Sequence, residues 1–182
     1  LNRFNDYVIQ NNYVDLPVVG IEPSCLLTFN DEYQTLKNVN NREQIKNKFY
    51  LLEEFILEQI RNNNNIKANK FDQNVLIHGH CHQKSQDRMK GLTNLLSELN
   101  INNKMIESSC CGMAGSFGYD SKTYEVSKKM ANLSLIPAIN NSDEKDFIVA
   151  NGTSCRHQIS DLSEKKGKHV SELLFKIFET VN

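Results

Sequence analysis

The sequence predicts an α/β fold: a mainly parallel sheet with helices on both faces, arranged as two pseudo-repeated halves of which the first is truncated. Two observations predict it. Short apolar runs alternate with longer amphipathic segments, and an apolar run that leads into Ser-Cys occurs twice. Strands that alternate with helices form βαβ units, which produce parallel sheets. The 182 residues suit one compact domain or two small halves that share a core.

Four short runs are the predicted strands. In each run the apolar residues are adjacent rather than alternating, which is typical of strands buried on both faces. In chain order they are Pro17–Ile21, Asn74–His78, Lys104–Glu107 and Phe147–Ala150.

Amphipathic helices are predicted around these strands, because apolar residues recur there every three or four positions. We expect Pro137 to end one of them, since proline lacks the backbone donor that a helix interior needs. In chain order the predicted helices are Leu1–Asn11, Gln44–Ile60, Gln83–Leu99, Ser121–Ile136 and a final apolar stripe from Val170 to Val181.

The polar segment Asn62–Asn74 has no sustained periodicity and is the best candidate for a linker. We therefore predict two units, residues 1–65 and residues 66–182. Residues 18–25 align with residues 148–155 at a constant offset of 130, and each segment ends in Ser-Cys. A duplication explains this match, with the first unit as the closing half of one repeat and the second as a complete repeat. The chain opens with Leu rather than Met, so we interpret it as a fragment of a longer protein.

The composition narrows the class of function. The formal net charge of −1 argues against nucleic acid as the main partner, because duplex binding needs a basic surface. No apolar run reaches the roughly 18 residues of a membrane span, and no signal peptide opens the chain. We expect no transmembrane segment and a cytoplasmic protein, with peripheral attachment to the inner face of the membrane as an open alternative. The five cysteines are odd in number, which favours metal binding or redox chemistry over a disulfide framework.

Three cysteine-bearing turns follow three of the predicted strands, at residues 78–82, 108–115 and 152–157. The carboxyl ends of parallel strands meet at one edge of a sheet, where open α/β folds bind their ligands. Four thiolates that converge there suit an iron–sulfur cluster or a tetrahedral zinc site. The candidate ligands are Cys81, Cys110, Cys111 and Cys155.

Glycines follow the adjacent cysteines at Gly112, Gly115 and Gly118. Without side chains, they let the backbone approach a cofactor and adopt positive φ. Their amide N–H groups would be free to donate to cluster sulfides. Gly112 and Gly115 are therefore candidate cofactor-binding residues.

Histidines flank two of the cysteines. His78, His80 and His82 alternate along the chain, and we favour His80 and His82 as residues that line the site and tune redox or proton transfer. The alternative is that they hydrogen-bond the turn. His157 is a candidate for a substitute ligand or a proton relay, against a surface or packing role.

The same residues allow other interpretations. A structural or vestigial zinc site would use the four thiolates, or three of them with His82 or His157. A thiol catalyst would use Cys81 or Cys110 as nucleophile and a neighbouring histidine as base. A phosphate-binding loop at residues 112–118 is the weakest alternative, since the glycine spacing fits neither the dinucleotide nor the P-loop pattern.

The order of the cysteines resembles the cysteine-rich CCG domain. That domain occurs in one component of heterodisulfide reductase, in the iron–sulfur component of glycolate oxidase, in one component of the anaerobic glycerol-3-phosphate dehydrogenase and in a lactate utilisation protein. It also occurs in the tails of FAD-linked D-lactate and D-2-hydroxyacid dehydrogenases, which this chain resembles most. The phrases that carry the resemblance are Glu22–Cys25, His80–Gln83, Cys110–Gly115 and Gly152–Ile159.

The resemblance implies the electron-transfer iron–sulfur part of a FAD-linked, lactate-type 2-hydroxyacid oxidoreductase. It implies a [4Fe-4S]-type cluster on the four cysteines named above, with Cys25 as a ligand of the first repeat. FAD would lie in an upstream flavin domain of the same chain, and a quinone or a redox protein would accept the electrons. The fragment alone is then not expected to be catalytically complete, and we assign it no catalytic residue.

One departure from the family stands out. The family pattern closes with Cys-x-x-Cys, whereas this chain has Gln158 in place of the last cysteine. One thiol is therefore missing. Zinc in place of the cluster, or a site without metal, stays open on this ground.

Overall fold

The computed structural model describes residues 2–45, 48–63 and 66–178. Its strands form two parallel sheets, one of two strands in the order β1–β2 and one of three strands in the order β4–β3–β5. This confirms the predicted α/β class with parallel sheets. The strands are β1 (Val18–Gly20), β2 (Phe49–Leu51), β3 (Val75–His78), β4 (Asn103–Met105) and β5 (Phe147–Ala150).

Helices connect the strands. In chain order they are α1 (Asn2–Gln10), α2 (Pro23–Asn30), α3 (Glu32–Thr35), α4 (Arg42–Ile45), α5 (Leu52–Asn62), α6 (Cys81–Ser85), α7 (Met89–Glu98), α8 (Tyr124–Leu133), α9 (Leu135–Asn140), α10 (Thr153–Leu162) and α11 (Val170–Phe178). Two predicted residues at the ends of these helices, Leu1 and Val181, lie outside the described residues.

One predicted helix is wrong in part. The segment Gln44–Ile60 contains the end of α4, strand β2 and most of α5, while residues 46 and 47 lie outside the described residues. Its apolar stripe is real, but Phe49 and Leu51 are buried by parallel pairing of β2 with β1. Tertiary pairing overrides the helical pattern there. The helix resumes at α5, where the Glu54 carboxylate accepts the backbone N–H of Leu51 at 2.9 Å.

Two other predicted helices are interrupted. The segment Gln83–Leu99 divides into α6 and α7 at Asp87, whose φ of 53° lies in the left-handed region. The expectation that Pro137 ends a helix is wrong, because Pro137 is the third residue of α9. Proline has no backbone N–H, but no hydrogen bond is lost at this position, because the N–H groups in the first turn of a helix have no acceptors within the helix.

The three-stranded sheet carries helices on both faces. Val75 and Ile77 of β3 pack with Val149 of β5 into a core that α5, α7 and α11 complete. On the other face, Ile148 and Ala150 of β5 pack against α8, α9 and α10. Because successive side chains of a strand point to opposite faces, β3 and β5 each contribute to both cores.

The predicted boundary between the two units falls after α5. Residues 66–74 after it contain no helix or strand, and Asn64 and Asn65 of the predicted linker lie outside the described residues. Leu57 of α5 nevertheless belongs to the core of the three-stranded sheet, so the two halves share that core. The division at residues 65 and 66, and the origin of the halves by duplication, stay predictions.

Candidate metal centre

The site lies at the carboxyl edge of the three-stranded sheet. β3 and β5 run in parallel, with His78 opposite Ala150, so the turns that follow them start side by side. Cys81 is the first residue of α6 after β3, and Cys155 is in the first turn of α10 after β5. The loop after β4, the third parallel strand, carries Cys110 and Cys111.

Cys111 and Cys155 form the buried half of the site, with 1% and 2% of their surfaces exposed. Their sulfur atoms and a ring nitrogen of His78 all lie within 4.8 Å of one another. The hydrogen bond from Cys155 lowers the pKa of the Cys111 thiol to about 4, against the opposing effect of burial and with help from His78. The same hydrogen bond, together with burial, raises the pKa of Cys155. The hydrogen bond thus favours the thiolate form of Cys111, and the thiolate is the form of cysteine that binds metals.

Cys81 and Cys110 form the half-exposed part of the site. Burial, the charge of Cys110 and a hydrogen bond with it raise the pKa of Cys81 to about 11. The backbone N–H of Gly112 donates to the Cys110 sulfur at 3.3 Å. The charges of Cys81, Cys110 and Cys111 all act on Cys155, so the structure brings the four predicted thiols together.

Lys84 places a cation beside these thiols, and the sequence analysis missed it. Its Nζ donates to the carbonyl oxygens of Ser108 at 2.5 Å and Ser109 at 3.0 Å, which ties α6 to the loop before the cysteine pair. Burial lowers its pKa, while the four cysteines oppose this shift. Its position one helical turn after Cys81 was the available signal, because residues three apart lie on one face of a helix.

Of the three alternating histidines, His78 lies against the buried thiols. It is 1% exposed, its Nδ1 is 2.8 Å from the Ser108 hydroxyl, and its Nε2 has no hydrogen-bond partner. The strand ends at His78, so the alternation does not continue to the other two rings. The sequence analysis gave His78 less weight than His80 and His82.

His80 and His82 lie beside the site at the start of α6. The Nδ1 of His80 accepts the backbone N–H of His82 at 3.2 Å, and the two rings meet edge to face with centroids 5.3 Å apart. The His80 ring packs so closely on Gly152 that a Cβ there would clash with it. Burial lowers the pKa of His80, although Glu22 opposes the shift.

Three predicted residues lie in more open surroundings. Cys25 is exposed on α2 and is not part of the group formed by His78, Cys111 and Cys155. His157 is exposed, with its Nδ1 3.3 Å from the Tyr119 hydroxyl. Gly115 has a φ of +55°, and a Cβ added to it would meet no atom within 4 Å.

Gly112, in contrast, is required by the fold of the cysteine loop. It is buried with a φ of +88°, and a Cβ added to it would collide with the backbone oxygen of Ser127. A residue with a side chain would be strained both by this φ and by this contact. Gly112 thus lets the cysteine pair pack directly against α8.

Gln158 stands where the family pattern has its last cysteine, and it acts as a clamp. Its Nε2 donates to the backbone oxygen of Cys111 at 2.9 Å and to the Ser127 hydroxyl at 2.8 Å. The side chain is buried, so these bonds satisfy a donor that would otherwise be costly to bury. The sequence analysis noted the missing thiol but had no signal for this role.

Glu53 anchors two of the cysteine-bearing elements from behind. It is 1% exposed, and its Oε1 accepts Gln83 Nε2 of α6 at 2.7 Å and Asn151 Nδ2 of the turn before α10 at 2.9 Å. Burial raises its pKa to about 7, the charge of Glu54 adds to the shift, and the two hydrogen bonds oppose it. The sequence analysis missed Glu53, which occupies an ordinary position on an amphipathic helix.

Glu22 joins the first half of the chain to the start of α10. Its Oε2 accepts the backbone N–H of Thr153 at 2.9 Å and the Thr153 hydroxyl at 2.8 Å. Burial raises the pKa of Glu22, but these bonds and one from Ser24 bring it below its usual value. A carboxylate at this position also suits the positive end of a helix.

The donor set fits a metal or an iron–sulfur cluster. Four thiols from three separate turns lie near one another at the sheet edge, and soft sulfur donors are preferred by zinc and by iron–sulfur clusters. The buried imidazole of His78 lies within 4.8 Å of two of these thiols, those of Cys111 and Cys155.

The helices that the structure describes include none with the length and apolar character of a membrane span.

Comparisons with known proteins agree with this chemistry. Residues 75–160, which include the four clustered cysteines, match the cysteine-rich domain family CCG. D-2-hydroxyglutarate dehydrogenase of Pseudomonas putida is 22% identical over 161 residues, which cover 87% of this chain and 15% of that protein. The corresponding enzyme of Escherichia coli is 23% identical over an alignment of 190 positions, which covers 98% of this chain and 18% of that protein.

A third relative is a component of the anaerobic glycerol-3-phosphate dehydrogenase of Escherichia coli. It is 22% identical over 162 residues, which cover 87% of this chain and 40% of that protein. The chain therefore spans less than half the length of each of these relatives. No solved structure matches the chain.

Proposed function

Because residues 75–160 are a cysteine-rich domain of the CCG family, we propose that this chain is the iron–sulfur, electron-transfer part of a FAD-linked 2-hydroxyacid oxidoreductase. The observation that carries the proposal is the convergence of Cys81, Cys110, Cys111 and Cys155 at one sheet edge. The relatives named as dehydrogenases of D-2-hydroxyglutarate support the 2-hydroxyacid as the substrate class.

In this proposal the four cysteines hold a [4Fe-4S]-type cluster. Such a cluster supplies one-electron transfer at a potential that charge, burial and hydrogen bonds to sulfur adjust. Lys84 contributes a positive charge beside the thiolates, and Gly112 donates its amide to Cys110. Buried Cys111 and Cys155 exclude water from one side, while half-exposed Cys81 and Cys110 leave the other side near the surface.

The rest of the reaction belongs to other parts of the protein. A flavin domain upstream of this chain would oxidise the 2-hydroxyacid, and a quinone or a redox protein would receive the electrons. This chain contributes ligands, charge and orientation, which is the usual role of a protein around a redox cofactor. A cytoplasmic location belongs to the same proposal.

The test is the iron and acid-labile sulfide content of the protein purified without oxygen, with its visible spectrum and the EPR spectrum of its reduced form. We expect iron and sulfide in similar amounts, lost in Cys111→Ser and in Cys155→Ser. Cys25→Ser is the matched control, because Cys25 is exposed and lies outside the buried group. Circular dichroism separates loss of the cluster from loss of the fold. Zinc without sulfide, or no metal at all, would refute the proposal.

A structural zinc site is the second candidate. It is favoured by one observation, the mixed group of His78, Cys111 and Cys155, since zinc sites commonly combine cysteine and histidine. The same metal measurement distinguishes the two, because a zinc site retains its metal in air and has no visible absorption. An unfolding temperature that drops on removal of zinc by a chelator would support it.

A further inference from the structure

His78 is held rigidly at the carboxyl end of β3. It is the last residue of the strand and pairs in register with Ala150 of β5. Alternation along β3 puts it on the same face of the sheet as Leu76, which packs with Cys111 and Cys155. Its ring is thus directed at the buried thiols by the backbone of the sheet rather than by a loop.

One atom of this ring has no well-formed hydrogen bond, and the ring's interaction with the Cys111 thiol is with one of the candidate ligands. Among the described residues, three buried side-chain atoms lack a hydrogen-bond partner, and His78 Nε2 is the only nitrogen among them. A buried polar atom without a partner is costly and is rare in folded proteins. A group that binds this nitrogen would remove that cost.

The other ring nitrogen is already engaged. Nδ1 lies 2.8 Å from the hydroxyl of Ser108, the residue whose carbonyl oxygen accepts from Lys84. When Nδ1 donates its proton to that hydroxyl, Nε2 carries a lone pair, and one ring nitrogen of His78 lies within 4.8 Å of both buried sulfurs. Histidines that bind metals have this arrangement, with the outer ring nitrogen held by a hydrogen bond that fixes the tautomer and the ring orientation.

The remaining histidines do not have this arrangement. His80 Nδ1 accepts from the His82 backbone, and the half-buried His82 ring packs edge to face on His80. His157 is exposed, and both ring nitrogens of His169 have partners, the Ser171 hydroxyl and the Ile21 carbonyl oxygen. Each of these rings is accounted for by packing, solvent or hydrogen bonds.

We propose that His78 is a metal ligand of this site and binds through Nε2 alongside Cys111 and Cys155. The inference rests on the proposed function to the extent that the four cysteines hold a metal. A [4Fe-4S] cluster has one terminal position on each of its four irons, so in such a cluster His78 would replace one of the half-exposed thiolates, Cys81 or Cys110. The inference therefore predicts a mixed sulfur and nitrogen ligand set.

The experiment detects the nitrogen directly. The chain is produced with ¹⁵N-labelled histidine, reconstituted without oxygen with Fe²⁺ and sulfide, reduced, and measured by pulsed EPR. We expect a strongly coupled histidine nitrogen that changes from ¹⁴N to ¹⁵N on labelling. The coupling should be lost in His78→Cys, which keeps a soft donor in place, and retained in the matched control His157→Gln. The wild-type measurement needs no variant, so a variant that fails to fold leaves the test intact.

The outcomes separate this inference from the proposed function. An iron–sulfur signal without histidine coupling overturns the role of His78 and leaves the proposed function standing. Zinc without sulfide, with an imidazole in its X-ray absorption spectrum that His78→Cys removes, overturns the proposed function and supports the role of His78. A wild-type chain that takes up neither Fe²⁺ with sulfide nor Zn²⁺ overturns both.

Discussion

Replacing Glu53 by Gln should make the protein more stable above neutral pH. Glu53 is buried between α6 and the turn before α10, and burial raises its pKa from an ordinary value of 4.5 to about 7. The folded state therefore holds this proton more tightly than the unfolded state does. Stability contributed by the protonated form is complete below about pH 4.5 and is lost as the pH rises through about 7.

The size of this change in the free energy of unfolding follows from the difference between the pKa values of Glu53 in the folded and unfolded states. Each unit is worth about 1.4 kcal/mol, so the change from 4.5 to about 7 corresponds to roughly 3 kcal/mol between acidic and alkaline pH. Glutamine has nearly the same shape and keeps an oxygen that can accept from Gln83 and Asn151. It cannot ionise, so Glu53→Gln removes this pH dependence while keeping the hydrogen bonds.

The assay is urea unfolding of the metal-free chain at intervals from pH 5 to pH 8.5. The free-energy difference between Glu53→Gln and the wild type should rise with pH by about 3 kcal/mol in favour of the variant. Taking this difference cancels the other titrating groups. Glu58→Gln is the matched control, because Glu58 is exposed on the same helix. A Glu53 difference that does not change with pH would refute the assignment of a buried, neutral carboxyl.

Three further predictions concern the cysteine loop and its neighbours. Gly115→Ala should lower the free energy of unfolding by roughly 1 kcal/mol, the cost of a side chain at positive φ, because the new Cβ meets no other atom. Gly112→Ala should lower it by more, because its Cβ would also collide with backbone. Urea unfolding of the two variants makes the comparison. Gln158→Leu should cost about 1–3 kcal/mol in the same assay, since the Cys111 carbonyl oxygen would lose a buried donor, and an unchanged stability would contradict the clamp. Lys84→Met should make the reduction potential of a reconstituted cluster more negative, because the lysine cation favours the more reduced, more negatively charged form of the cluster. A redox titration in which the potential does not change would exclude this electrostatic role.

The cysteine cluster was predictable because it depends on topology. Once residues 75–78 and 147–150 are taken as parallel strands, the turns after them must start at the same sheet edge. That argument needs no side-chain detail, and it led to Cys81, Cys110, Cys111 and Cys155. The vicinal cysteines supplied the remaining signal, and the family match over residues 75–160 agrees with it.

Two predictions of helices were wrong for different physical reasons. Phe49–Leu51 continues a helical pattern, yet it is a strand because β1, some thirty residues earlier, offers a parallel partner. The preference for His80 and His82 over His78 stays a prediction, while the strand ends at His78 and does not carry the alternation on to the other two histidines. Pro137 was expected to end a helix, whereas a break at Ser134 puts it in the first turn of the next helix.

The sequence by itself determined the α/β class, the strands that carry the site and the identity of the four thiols. These follow from local patterns, since hydrophobic period and turn position are properties of short segments. The tertiary structure alone decided the burial of Glu53, the clamp formed by Gln158 and the unsatisfied nitrogen of His78. Each of these features depends on groups far apart in the chain. A carboxyl, an amide or an imidazole loses its contact with water, and needs a protein partner instead, only after folding has brought those groups together.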